Sequence, residues 1–190
     1  MQGGWGKVSA AASAQWAIDH HHPDLILNLG TCGGLEGRIE RHTILLVERT
    51  YQYDIQEQMT DPEEANRFYS SELDLTWLGD RLMPEGVIRT SMFSADHDIL
   101  PADVEYLIEH HDARAADWES GAIAWVTRRN QKPLIILRGV SDLVSPHGGE
   151  SYGKVEVFQK NTRKIMKILA GQLPWWLQVF NENRGFTSPV

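Results

Sequence analysis

Two kinds of apolar pattern alternate along this chain. Apolar runs at residues 24–29, 43–53 and 134–137, rich in Ile, Leu and Val, predict strands, the last of them too short for a comfortable helix; the turn Pro84-Glu85-Gly86 leads into a further predicted strand at 87–93. The run at 134–137, bracketed by Pro133 and Gly139, is apolar without alternation and predicts a central strand covered on both faces. Helices are predicted between them. Residues 7–20 mix small residues with Trp16, Ala17 and Ile18 until Pro23 stops them, and 70–82 carry Leu73, Leu75, Leu78 and Leu82 at helical spacing. Pro101 opens a short helix with Val104, Leu107 and Ile108 on one face, a short strand follows at 114–118, and a helix at 119–130. Beyond the central strand, 155–169 predicts a long amphipathic helix, and Leu173-Pro174 begins a separate apolar segment. The acidic stretch 56–66 reads as a loop.

This alternation predicts a three-layer α/β/α architecture with a central mixed sheet and helices on both faces. At 190 residues, 42% of them hydrophobic, the chain fits a single domain, 1–190. Its net charge of -8 and pI near 5.4 offer no basic tract to neutralise phosphates, so neither nucleic acid nor an anionic membrane is an expected partner. A lone cysteine, Cys32, excludes an internal disulfide. With no signal peptide and no membrane-length apolar run, the cytoplasm is the expected compartment. His20, His21 and His22 are neighbours and cannot all face one ion from a helix, so no metal is expected there.

Candidate chemistry gathers where strands end. The first strand runs into Gly30-Thr31-Cys32-Gly33-Gly34, whose glycines either let a ligand approach the backbone or make a tight turn with positive φ. The central strand runs into Arg138-Gly139-Val140-Ser141-Asp142, and carboxyl ends of strands are where ligands bind in open α/β sheets. Asp142 is therefore a candidate acid, with a turn cap formed by Ser141 and Asp142 as the alternative.

Three stretches, NLGTCGGL from Asn28, DWESGAIA from Asp117 and RGVSD from Arg138, occur in an order and at intervals that resemble the nucleoside phosphorylase and nucleosidase superfamily. The resemblance is strongest to the methylthioadenosine/S-adenosylhomocysteine nucleosidases. It implies cleavage of the N-glycosidic bond of a purine nucleoside, with a purine or uridine phosphorylase as the alternative enzyme and a non-catalytic nucleoside-binding protein as the alternative of another class. By that resemblance Asp142 serves the departing base at N7, and Ser141 orients its carboxylate. Glu119 grips the ribose hydroxyls, Trp118 lies against the sugar, and Asp117 belongs to the same binding stretch. Thr31, Cys32 and Gly33 line ribose and base, and Ile99 presents its backbone to the base. Asp98 departs from the family pattern, which has an aromatic there. No cofactor or metal is implied.

The chemistry is coherent on its own terms. Breaking the bond leaves positive charge on the sugar and negative charge on the base, so an acid at the base and a carboxylate at the sugar both lower the barrier. Such an acid must hold its proton near neutral pH, which burial would favour.

The resemblance also marks a departure. Relatives begin with a strand and hairpin upstream of Gly4 that carry the water-activating carboxylate or the phosphate-binding residues, so hydrolysis slowed by about 10²–10⁴-fold is expected here, with Asp54 or Asp96 as substitute bases. The phosphorylases' further arginine falls at His42, which tilts the expectation towards hydrolysis, while Arg41 beside it keeps phosphate as the alternative co-substrate. An uncovered edge favours association, and a homodimer is expected, with Trp5, Tyr51 and Tyr53 in its contact.

Overall fold

The computed structural model describes residues 1–183. Helix α1 (Gly6–His21) leads into strand β1 (Ile26–Leu35), then β2 (Ile44–Gln52), helix α2 (Pro62–Tyr69), the two-residue β3 (Ser71–Glu72), a 3-10 turn (Thr76–Leu78) and β4 (Val87–Ser94). Helix α3 (Pro101–His111), β5 (Ala115–Asp117), α4 (Ser120–Arg129), β6 (Leu134–Ser145), β7 (Gly148–Gly149) and α5 (Val155–Asn183) complete it.

The sheet is mixed, in the order β3-β2-β4-β5-β1-β6-β7, and it also closes on itself because β2 pairs with β6 from Ile44 to Leu46. Five strands thus form a ring. Helices α1 and α4 cover one side through Ala10, Ala14, Ile18, Ala122 and Ile123, where small residues let the helices sit close. Helix α5 covers another through Ile165, Leu169, Trp176 and Phe180, and α3 seals a third cluster around Phe93, Val104 and Leu107.

Both motif-bearing strands run further than their apolar stretches predict. β1 continues through Gly30-Thr31-Cys32-Gly33-Gly34, with a shift of register against β6 between Cys32 and Gly33, and β6 continues past Gly139, so Asp142 lies inside a strand rather than at its end. None of Gly30, Gly33 and Gly34 has a positive φ, which removes the tight-turn explanation. They are glycines because side chains cross them: a Cβ on Gly30 would stand 2.1 Å from Arg138 Nη1, and one on Gly33 would stand 2.9 Å from Ile99 Cδ1.

β1 pairs with β6 along its length but with β5 only at Gly33 and Gly34. Its residues from Ile26 to Thr31 are consequently only half-buried and have no second strand beside them among the described residues.

Three further expectations are corrected. The acidic stretch holds helix α2, started by Asp61, whose carboxylate accepts from the Glu63 amide at 3.0 Å, with Pro62 in the first turn. Residues 70–82 are not a helix. The edge of β2 captures Ser71 and Glu72, the Leu73 amide donates to the Glu48 carbonyl at 2.9 Å, and Leu75, Trp77 and Leu78 bury against α5 instead. Finally, α5 does not stop before Pro174 but runs through it, since Trp176, Val179 and Phe180 downstream are all buried. That packing offsets the hydrogen bond proline forfeits.

Candidate active site

Along the exposed side of β1, a cavity of about 1190 Å³ opens, larger than the roughly 300–1,000 Å³ common for small-molecule sites. Its walls are β1 from Leu27 to Gly33, the segment 97–99, the segment 116–119, β6 at Arg138, Ser141, Asp142 and Val144, and the start of α5. Residues 1–5 complete the rim. All ten residues assigned by resemblance, Thr31, Cys32, Gly33, Asp98, Ile99, Asp117, Trp118, Glu119, Ser141 and Asp142, line this single space.

Asp142 is 7% exposed, placed by a strand whose other residues are nearly all buried. The Ser141 hydroxyl donates to Asp142 Oδ1 at 2.6 Å, and Ser141 itself is fixed from behind by Asn161, whose amide nitrogen donates to the Ser141 carbonyl at 2.7 Å. Burial pushes the Asp142 carboxyl above the ordinary range; the serine bond opposes this, and the charges of Glu150 and Asp98 reinforce it. The group is thereby disposed to keep a proton.

Glu119 stands just before α4, where the Gly6 amide donates to Oε1 at 3.2 Å and Arg138 Nη2 lies 3.7 Å from Oε2. Burial raises its pKa too, against the lowering pull of Arg138. Asp117 plays a different part. Its carboxylate accepts from Ser94 at 2.6 Å and from the Ser120 amide and hydroxyl, and pairs with Arg138 Nε at 3.0 Å. Those contacts occupy it internally, so it anchors the strand-to-helix passage that delivers Glu119.

Cys32 is buried, and burial raises its thiol pKa, so it lines the wall as a neutral group and not as a nucleophile. Asp54 is ion-paired to Lys7 and accepts from the Asp96 amide at 2.9 Å; Asp96 in turn accepts from the Lys7 amide at 2.7 Å. Neither lines the cavity. Arg41 lies 3.7 Å from Glu150, and His42 Nδ1 is 3.2 Å from Lys164, so these also stand outside it. Tyr51 and Tyr53 pack partly buried against the third core cluster, with Tyr51 stacked on Phe93 at 4.9 Å.

Two residues of the site escape the sequence reading. Arg138 belongs to the quoted motif, yet its linking role was not assigned; a charge following the apolar run 134–137 was the available signal. Tyr152, whose hydroxyl donates to the Ile99 carbonyl at 2.7 Å, lies in a loop with no local signal.

Residues 1–173 match the family model described as the Phosphorylase superfamily. The chain belongs to that superfamily. Among its relatives is the 5'-methylthioadenosine/S-adenosylhomocysteine nucleosidase of Tolumonas auensis, 24% identical over 184 residues, covering 90% of this chain and 79% of that protein. The apo 5'-methylthioadenosine nucleosidase of Arabidopsis thaliana superposes with a TM-score of 0.74 at 23% identity, over 95% of this chain and 70% of that one. The S. pneumoniae 5'-methylthioadenosine/S-adenosylhomocysteine nucleosidase, solved with a transition-state inhibitor, gives 0.65 at 16% identity, over 87% and 77%. At these identities the structural likeness speaks for the fold, a mixed sheet with flanking helices.

Proposed function

We propose that this protein is a purine nucleosidase that cleaves the N-glycosidic bond of a methylthioadenosine- or S-adenosylhomocysteine-like nucleoside. The observation that carries the reading is the buried Asp142, oriented by Ser141 and raised in pKa, lining one cavity with Glu119. The acid protonates or hydrogen-bonds the departing base, and so neutralises the negative charge it acquires. Glu119 accepts from the ribose hydroxyls and opposes the positive charge developing on the sugar. Superfamily membership and nucleosidase relatives support the same assignment.

Hydrolysis is favoured over phosphorolysis by the charges on the wall. Arg138, the one guanidinium among the described lining residues, is engaged by Asp117 and Glu119 and so is not free for a phosphate. The size of the cavity and the apolar Val155, Phe158 and Met166 in its lining suit a substrate with an apolar 5′ extension.

A release assay across adenosine, inosine, uridine and their 5′-thio derivatives, with and without phosphate, tests this. Free base appearing equally without phosphate is expected. Strict phosphate dependence would reassign the enzyme as a phosphorylase, and nucleoside binding without release would make it a binding protein.

The active species on this reading is a homodimer. Trp5 and Val8 are 85% and 82% exposed, apolar side chains of the sort that association covers. Light scattering should give twice 21.6 kDa; a stable monomer removes the dimer from the proposal.

A further inference from the structure

At Ile99 the cavity wall is closed by a hydrogen bond the protein makes to itself, the donation from the Tyr152 phenol to the Ile99 carbonyl at 2.7 Å. The loop carrying Tyr152 is fastened next to Asp142: the Leu143 amide donates to the Glu150 carboxylate at 2.9 Å and the Glu150 amide to the Leu143 carbonyl at 3.0 Å. The ring lies flat enough on Gly149 that a Cβ there would come within 2.5 Å of it. Tyr152 is 37% exposed and is held by this contact together with its hydrogen bond. Burial and the charges of Asp98 and Asp142 push the phenol pKa up, so it keeps its proton and remains a donor.

The Ile99 amide has no hydrogen-bond partner among the described residues, whereas the Ile99 carbonyl does. This asymmetry bears on which base fits. A 6-aminopurine offers an acceptor at N1 beside a donor at its amino group, and a backbone segment with both N–H and C=O free matches it twice. A 6-oxopurine offers the reverse order, a donor at N1–H and an acceptor at O6, so in the pose that suits the aminopurine each of them meets a like group. With the carbonyl engaged, the edge presents chiefly a donor, which either base can satisfy. The Tyr152 hydroxyl takes one of the two acceptor sites of the carbonyl that would discriminate between them, so an amino group has to share it.

We propose that Tyr152 is a specificity-determining residue whose hydroxyl competes with the amino group of a 6-aminopurine for the Ile99 carbonyl, and so opens the site to purines lacking that group. This rests on the nucleosidase reading, with the base lodged at Ile99. Phenylalanine at this position keeps the ring on Gly149 and frees the carbonyl.

The test compares adenine and hypoxanthine binding by calorimetry in the wild-type protein and in Tyr152→Phe, with thermal melting as the folding control. The adenine-to-hypoxanthine preference should rise about tenfold in the variant, the change that one net hydrogen bond makes. Gly149→Ala, which displaces the ring without altering the hydroxyl, should move the ratio the same way. An unchanged ratio overturns the proposal, and a falling one overturns it by showing that the hydroxyl itself reads the amino group. If neither protein binds either base, this proposal and the nucleosidase reading fall together; binding with an unaltered ratio removes only the role of Tyr152.

Discussion

Arg138 Nε lies 3.0 Å from the Asp117 carboxylate, with the two side chains 6% and 2% exposed. This buried pair joins the strand bearing Asp142 to the passage bearing Glu119. Arg138 also donates to the Ser120 hydroxyl at 3.0 Å and to the Thr31 carbonyl at 3.4 Å, so three motifs distant in sequence converge on one guanidinium. Its planar set of donors suits it to this, where a lysine would satisfy fewer partners. The acid and the sugar-binding carboxylate are held in mutual register through it.

That arrangement needs Gly30. Gly30→Ala places a methyl 2.1 Å from Arg138 Nη1, a guanidinium held by Asp117 and Ser120, and should cost about 1–3 kcal/mol. Urea denaturation measures this. Gly171→Ala on α5, with nothing within 4 Å, is the control and should stabilise by about 0.5–1 kcal/mol as a helix substitution. Equal behaviour of the two variants would show that the Arg138 hub does not depend on close approach over β1.

Asp142→Asn should abolish base release while nucleoside binding persists, because the amide keeps the shape and still accepts from Ser141 but cannot supply the proton. Turnover in that variant at the wild-type rate would take Asp142 out of the mechanism.

The same substitution should alter stability with pH. The Asp142 carboxyl is raised by burial, so the folded state binds its proton more tightly than the unfolded chain, whose carboxyl titrates near about 3.9. As pH rises through the window between these two values, the unfolded state releases the proton first and the wild-type protein loses stability, a loss that is complete above the folded value. Asp142→Asn is spared this. Its melting temperature should exceed the wild type's at pH 7, with the gap closing towards pH 4. A gap that widened on acidification would reverse the sign of the assigned shift.

Glu119→Ala should weaken ribosides far more than free bases. A charge-assisted hydrogen bond of about 1.5–3 kcal/mol is lost only where a sugar is present, corresponding to roughly 10–150-fold in affinity. Calorimetry with a nucleoside and its free base separates the two, and matched losses would place Glu119 away from the sugar.

Local chemistry in the sequence determined much of this protein. A run of Ile, Leu and Val settled the strand at Ile44–Gln52, the turn before Val87 opened the strand Val87–Ser94, and Pro101 set the start of α3, because a strand or helix records its own period and its own breakers. The ordered motifs around Asn28, Asp117 and Arg138 were enough to bring Glu119 and Asp142 together as candidates. What tertiary structure decided lies beyond the reach of any local pattern. Whether Gly30 to Gly34 turned or continued as a strand depended on Arg138, whose side chain crosses Gly30 from more than a hundred residues away. Residues 70–82 had the spacing of a helix, but the edge of β2 offered Ser71 and Glu72 strand partners that an isolated segment does not have. Pro174 read as a stop until the burial of Trp176 and Phe180 outweighed one missing hydrogen bond. The contacts Gly6 to Glu119 and Tyr152 to Ile99 join residues whose meeting only chain closure brings about, and no periodicity encodes them.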